Sequence, residues 1–241
     1  MCYQEMTVEL GEQNRGTPYH KDFENEPIPE RYLVVADRVG TNKRVLEVGC
    51  HSGYFSKVLH TNGCSVVGVE LNAEAAHRAL PVLEELVIGN ADAESTWNRV
   101  HGEFDFILFM DVLEHLYNPW LVLENCRSRL KVGGRMLATL PNVACWSIRR
   151  ELLMGRFVPP NTGLSDPTHI RWFTLYSALD LFARSGYEVL SFQPAWTCVP
   201  LDYRMSRIPW FGTRWRRWWI NHHPNLAIAV PLIEARLGTT R

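Results

Sequence analysis

The segment Phe104–Met110 (FDFILFM) constrains this chain more than any other. Apart from Asp105 every position in it is apolar. A strand that is apolar on both sides of its pleat has to be covered on both faces. That is the setting of an interior strand in a parallel sheet with helices packed above and below it. The flanking sequence alternates in the way such a sheet requires. Strands are predicted at 44–48, 65–69, 84–88, 135–140, 187–192 and 226–233. Helices are predicted at 29–39, 54–62, 73–79, 119–130 and 174–185, with Gly133-Gly134 stopping the fourth and Thr174 capping the fifth. Strands and helices in this rhythm predict an α/β, doubly wound, mostly parallel sheet of seven strands, with the last strand in its interior.

Two stretches break the rhythm. Residues 142–172 and 194–224 read as insertions that build a cap, the second irregular and rich in aromatics, on one domain covering 29–241. Residues 1–28 read as a polar arm. At 241 residues with 46% hydrophobic side chains, the chain can bury an adequate core without metal or disulfide. The six cysteines form no CxxC pair, which predicts reduced thiols. The first residues lack a basic-then-apolar leader and no apolar run reaches membrane-spanning length, so the expected location is the cytoplasm. A net charge of −1 argues against a surface built as a whole for nucleic acid, while leaving room for a local basic patch.

The first strand leads into Val45-Leu46-Glu47-Val48-Gly49-Cys50-His51-Ser52-Gly53. Ligands of such sheets bind beyond the carboxyl ends of the strands, and glycines there let backbone approach them closely. The order is not the GxGxxG of dinucleotide sites. Glu47 would repel a pyrophosphate and suits a ligand that carries positive charge. Glu70 ends the second strand, where a carboxylate can accept both hydroxyls of a ribose. Gly89-Asn90-Ala91-Asp92 follows the third, where an amide or carboxylate can meet an adenine amino group. Met110-Asp111 ends the fourth.

Taken with DVLEHLYNPW at 111–120, LKVGGRMLATLPN at 130–142 and DPTHIRWFT at 166–174, these segments resemble class I S-adenosylmethionine-dependent methyltransferases. The bacterial branch similar to ubiquinone-biosynthesis O-methyltransferases is the nearest in pattern. The resemblance spans about residues 30–235 and implies a Rossmann-like sheet whose last strand is antiparallel. It implies that S-adenosylmethionine is the cofactor, with Glu47 near its amino group, Gly49 and Gly53 along its methionine part and Glu70 on its ribose. Cys50, His51, Tyr54 and Leu71 join that cofactor-binding set, as do Asn90, Ala91, Asp92, Met110 and Asp111. Two departures stand out. His51 occupies the place of the usual middle glycine, and the usual aspartate after the third strand is matched by either Asn90 or Asp92.

Asp111, Glu114 and His115 stand at i, i+3 and i+4, which on a helical turn gives them one direction. Asp166-Pro167-Thr168-His169 is a second cluster. The spacing resembles the metal site of small-RNA 2′-O-methyltransferases, which implies Asp111, Glu114, His115 and His169 as ligands of a divalent metal such as Mg²⁺. Two other uses remain open: His115 or His169 as a catalytic general base without metal, or a structural pair.

The acceptor side is expected in the insertions. Trp146, Arg149, Arg150, Trp172 and Trp215 are the candidate substrate residues, with Arg156, Phe157 and Arg171 nearby. Five arginines and four of the nine tryptophans lie in 203–219. This segment reads as a cap helix, as an aromatic acceptor pocket, or as a peripheral membrane-surface patch with Trp at the interface. Stacking on single-stranded nucleic acid is disfavoured by the net charge. The function expected is methyl transfer to a small-molecule acceptor, at a hydroxyl oxygen of a sugar, glycan intermediate or secondary metabolite. The alternatives are a metal-dependent RNA 2′-O-methyltransferase and a non-catalytic cofactor-binding regulator. Monomer and homodimer are equally compatible with the sequence.

Overall fold

The computed structural model describes residues 28–157, 164, 166–201 and 209–238, with backbone only at 209 and 210. The arm at 1–27, Arg204 and the Trp210 side chain lie outside the described residues.

Seven strands form one sheet: β1 (Arg44–Val48), β2 (Ser65–Glu70), β3 (Glu85–Ile88), β4 (Phe104–Met110), β5 (Leu130–Thr139), β6 (Tyr187–Thr197) and β7 (Ile228–Leu237). Their order is β3-β2-β1-β4-β5-β7-β6. β1, β2, β3, β4 and β5 pair in parallel, and β7 runs antiparallel between β5 and β6. The interior place and the reversed direction of β7 are both as expected. The FDFILFM strand is buried on both faces, alternating from Phe106 to Met110, with Phe104 displaced by the bulge onto the side of Ile107. Phe104, Ile107 and Phe109 enter one core with Leu46, Val48, Trp97, Leu123 and Phe182. Phe106, Leu108 and Met110 enter the other with Val35, Val39, Phe55 and Leu59.

The helices supplying those layers are α1 (Glu30–Val39), α2 (Tyr54–Thr61), α3 (Ala73–Ala79), α4 (Glu94–Trp97), α5 (Pro119–Arg127), α6 (Trp146–Leu153), α7 (Leu175–Arg184), α8 (Pro209–His222) and α9 (Pro224–Ala227). α7 carries a complete capping box: Thr174 Oγ accepts from the Ser177 N–H at 3.1 Å, and Ser177 Oγ accepts from the Thr174 N–H at 2.8 Å.

Several boundaries differ from expectation, β5 starting at Leu130 rather than Arg135 and β7 running on to Leu237 rather than Ile233 among them. α5 ends at Arg127, not Leu130, because Gly133-Gly134 does not stop the helix; it forms a bulge inside β5, between Leu130 opposite Phe104 and Arg135 opposite Phe106. Within 194–224 two parts are regular rather than irregular: β6 continues to Thr197, and α8 covers Pro209–His222. β7 begins at Ile228, not Leu226, because Pro224 opens the short α9.

Candidate active site

The carboxyl ends of β1, β2, β3 and β4 lie side by side, so the loops after them share one rim. After β1 the chain turns sharply. The Gly49 N–H donates to the Val69 carbonyl at 2.7 Å, and the Cys50 N–H reaches the same oxygen at 3.3 Å. Gly49 has φ +77°, and a Cβ there would fall 2.5 Å from Val112 Cγ2. Gly53, the N-cap of α2, has φ +75°, and its Cβ would fall 2.8 Å from the Ala79 Cα. Both glycines are thus required by conformation and by space. His51 takes φ +47°, the left-handed region that the usual glycine adopts freely. Its N–H donates to Glu70 Oε2 at 2.9 Å, which holds it there.

Glu47 is 3% exposed and accepts the Ser56 hydroxyl at 2.5 Å. Burial pushes its carboxyl up to about 8 against the pull of Ser56, with Glu70 adding to the rise. At neutral pH it is mostly uncharged. Burial likewise pushes the Cys50 thiol up, with Glu47 and Glu70 adding, so Cys50 is an inert wall residue. Glu70 accepts the His51 N–H through one oxygen and the Asn72 N–H, at 2.7 Å, through the other. A carboxylate has about four lone-pair positions, so each oxygen keeps one for a diol. Leu71 is exposed next to it, and the Tyr54 ring packs edge-on to Tyr32 at 5.7 Å.

After β3, the Asn90 side-chain oxygen accepts the Asp92 N–H at 2.9 Å. Asp92 is itself taken up: its two oxygens accept the N–H groups of Tyr117 and Asn118 at 2.9 and 2.8 Å. It ties this loop to the start of α5. Asn90 is exposed at the rim, and buried Trp97 fixes the Ala91 carbonyl from behind with an indole N–H at 2.7 Å. Buried Met110 ends β4, and Asp111 follows in the left-handed region at φ +56°. Asp111 accepts the Thr139 hydroxyl at 2.8 Å and faces the Arg31 guanidinium at 3.3 Å. Arg31 and Tyr32, on α1, therefore belong to the rim. Sequence reasoning missed them; the one available signal was a basic and an aromatic residue on the helix just before β1.

Glu114, His115 and His169 converge, their candidate ligand atoms within 4.8 Å of one another; Asp111 is not among them. Glu114 is 1% exposed, and neither carboxylate oxygen has a partner from another residue. Burial, then the charge of Asp111, raises its carboxyl well above the ordinary range. Burial, then neighbouring His115, lowers the His169 imidazole. The two face each other at 3.9 Å, and both shifts favour the uncharged form. His115 Nδ1 lies 3.1 Å from the Thr168 carbonyl, a contact that selects the Nδ1–H tautomer and leaves Nε2 as the basic nitrogen. The strap carrying His169 is pinned by the N–H groups of Ile170 and Arg171, which both donate to the Glu114 carbonyl at 3.1 and 3.0 Å. Arg171 also donates to the Leu116 and Tyr117 carbonyls and lies over the Trp120 ring.

Of the acceptor-side candidates, Trp172 stands against the cluster, its ring 5.8 Å from His169 and 5.6 Å from Phe157. Trp146 is half-buried at the start of α6. Arg149 donates to the Ala144 carbonyl at 2.7 Å, and exposed Arg150 pairs with Glu151. Trp215 donates to the Pro200 carbonyl at 2.8 Å and stacks within α8.

The family model described as a methyltransferase domain matches residues 20–192. A ubiquinone biosynthesis O-methyltransferase of Paraburkholderia phymatum is 39% identical over 98 residues, 39% of this chain and 42% of that protein. One of Pseudomonas aeruginosa is 30% identical over 121 residues, 47% of this chain and 51% of that protein. The chain thus spans about half the length of the curated relatives it matches. A solved SAM-dependent methyltransferase from Archaeoglobus fulgidus superposes with a TM-score of 0.59 at 16% identity, over 85% of this chain and 93% of that one. The chain belongs to the methyltransferase domain family, with the class I fold of S-adenosylmethionine-dependent enzymes.

Proposed function

We propose that the chain transfers a methyl group from S-adenosylmethionine to a hydroxyl oxygen of a bulky, partly apolar small molecule. The observation that carries this reading is Glu47, a buried carboxyl held uncharged beside a glycine turn. Such a group is costly in an empty protein and is satisfied by a ligand ammonium. In this reading Glu47 meets the amino group, Gly49, Cys50, His51, Gly53 and Tyr54 enclose the methionine part, and Glu70 takes the ribose diol with its remaining lone pairs. Leu71, Met110 and Asp111 border the sugar. Asn90 and Ala91 address the adenine, whereas Asp92 is committed to Tyr117 and Asn118 and acts by holding that loop.

Bound, the cofactor supplies a methyl group activated by a sulfonium. The chain's own part is to orient the acceptor oxygen and take its proton. His115, through Nε2, is the better placed base; His169 supports it, and Trp172 offers an apolar wall. The unpartnered Glu114 oxygens and the two imidazoles also form a donor set that fits one divalent cation. A cation held by Glu114, His115 and His169 would lower the pKa of an acceptor hydroxyl. An oxygen acceptor is favoured by the ubiquinone-biosynthesis relatives. The same cluster is what an RNA 2′-O-methylating site would share, and the net charge of −1 weighs against that.

The test uses labelled S-adenosylmethionine with hydroxylated quinols and phenols, before and after chelation and with Mg²⁺ restored. His115→Ala and His169→Ala are expected to lose about 10²- to 10⁴-fold in turnover with cofactor affinity unchanged. Calorimetry of Mg²⁺ binding to the ligand-free protein and to Glu114→Gln reads the metal separately. Full turnover in His115→Ala, or no affinity for S-adenosylhomocysteine in the wild type, overturns the reading.

A further inference from the structure

The site leaves one built feature unused, the helix α8 (PWFGTRWRRWWINH). It carries Arg214, Arg216 and Arg217 and no acidic residue, in a chain whose net charge is −1. Phe211, Trp215, Trp218 and His222 follow at helical spacing, and their rings stack in succession at 6.3, 6.3 and 4.9 Å. The bond from Trp215 to the Pro200 carbonyl anchors the stack to the body of the protein, while Phe211 and Trp218 are 38% and 45% exposed. At 3.6 residues per turn, Arg214 lies about 70° round from the centre of this stripe and Arg217 about 130° on the same side, with Arg216 about 130° round on the other.

A second element repeats the combination. α6 ends in Leu152 and Leu153 with Met154 as its cap, all three exposed, Leu153 at 84%. Exposed Arg149, Arg150 and Arg156 flank them in the chain, Arg150 pairing with Glu151. α6 follows the carboxyl end of β5 and α8 that of β6. Both strands run antiparallel to β7, so both helices lie at the site's end of the sheet. Exposed apolar side chains among arginines, with tryptophans at the boundary, complement an anionic lipid surface, where the rings take the interface and the guanidiniums the headgroups. No helix among the described residues is long and apolar enough to cross a membrane.

We propose that α8, together with the exposed end of α6, docks the protein along an anionic bilayer surface with the site's end toward the lipid. This stands apart from the acceptor assignment: docking is measured without turnover.

The experiment is co-sedimentation of the full chain with vesicles of phosphatidylcholine alone and of phosphatidylcholine with one quarter phosphatidylglycerol. The wild type is expected to pellet with the mixed vesicles and to be released by salt. Arg214→Gln/Arg217→Gln, which changes only exposed side chains, is expected to weaken binding about 25-fold, near fivefold per arginine. Trp218→Ser is expected to weaken it roughly tenfold. Melting temperature and S-adenosylhomocysteine affinity report that each variant is folded. Wild type that stays in solution with mixed vesicles overturns the proposal, as do variants that pellet like wild type. So does a self-associated form that Trp218→Ser dissolves without any vesicle binding, or single-stranded RNA as the only ligand these arginines govern.

Discussion

Glu47→Gln separates the two states of the site in one substitution. In the ligand-free protein the carboxyl is pushed up to about 8, from an ordinary 4.5, chiefly by burial. The folded state therefore holds the proton more tightly than the unfolded chain. The stability this contributes is complete below about pH 4.5 and is lost as pH rises through about 8. At pH 7 about 3 kcal/mol of it is already gone. Glutamine does not ionise, so the variant's ligand-free stability should be flat where the wild type declines. At pH 8.5 the variant should be more stable by roughly 1–3 kcal/mol, the lower end reflecting amide N–H groups that need acceptors. Cofactor binding reverses the order. Wild-type affinity should rise with pH by up to tenfold per unit below pH 8, since Glu47 must give up its proton to face the ammonium. Glu47→Gln should bind about 10- to 100-fold more weakly through loss of a charge-assisted hydrogen bond. Urea unfolding at pH 6, 7 and 8.5 reads the first effect. Calorimetry with S-adenosylhomocysteine, in buffers of different ionisation enthalpy, reads the second and counts the proton released. A wild-type affinity that is flat with pH, or a variant that binds as tightly as wild type, refutes the reasoning.

Two further substitutions probe the frame of the site. Gly49→Ala sets a Cβ 2.5 Å from Val112 Cγ2 on a backbone at φ +77°; it should cost about 1–3 kcal/mol and at least tenfold in S-adenosylhomocysteine affinity, read by denaturant melts and calorimetry. Asp92→Ala leaves the Tyr117 and Asn118 N–H groups without their acceptor; being half-buried, it should cost about 1–2 kcal/mol in urea unfolding, and an unchanged midpoint would show that the latch contributes nothing.

The sheet was readable because its signals are local: the doubly apolar β4, the glycine turn after β1 and the Thr174 cap each declare themselves within ten residues. Gly133-Gly134 misled because glycines that end a helix and glycines that bulge a strand look alike without the partner strand. α8 was legible as one of three readings of 203–219, a cap helix, but its bounds were not, because aromatic and Gly content does not favour helix; the i, i+3, i+4 stacking of its rings supports it. The i, i+3, i+4 argument for Asp111, Glu114 and His115 presumed a helix beginning at Asp111. Asp111 is instead left-handed, and only Leu113, Glu114 and His115 form a single 3₁₀ turn. That reversal aims Asp111 at Thr139 and Arg31, and Glu114 at His169. Arg31 and Tyr32 enter the rim across the fold, a relation no sequence spacing encodes.

The strap that brings His169 home has a consequence for the order of events in folding. Residues 115 and 168 are 53 positions apart in the chain. What joins them is a handful of bonds from Ile170, Arg171 and His115 rather than a ladder of the sheet. A segment held so is released in a local opening, well below the free energy of unfolding the whole domain. The cluster is thus expected to open before the sheet does. In rising denaturant, chemistry at His115 should fail while the sheet still gives its full circular dichroism, and the amides of Ile170 and Arg171 should exchange before those of β4.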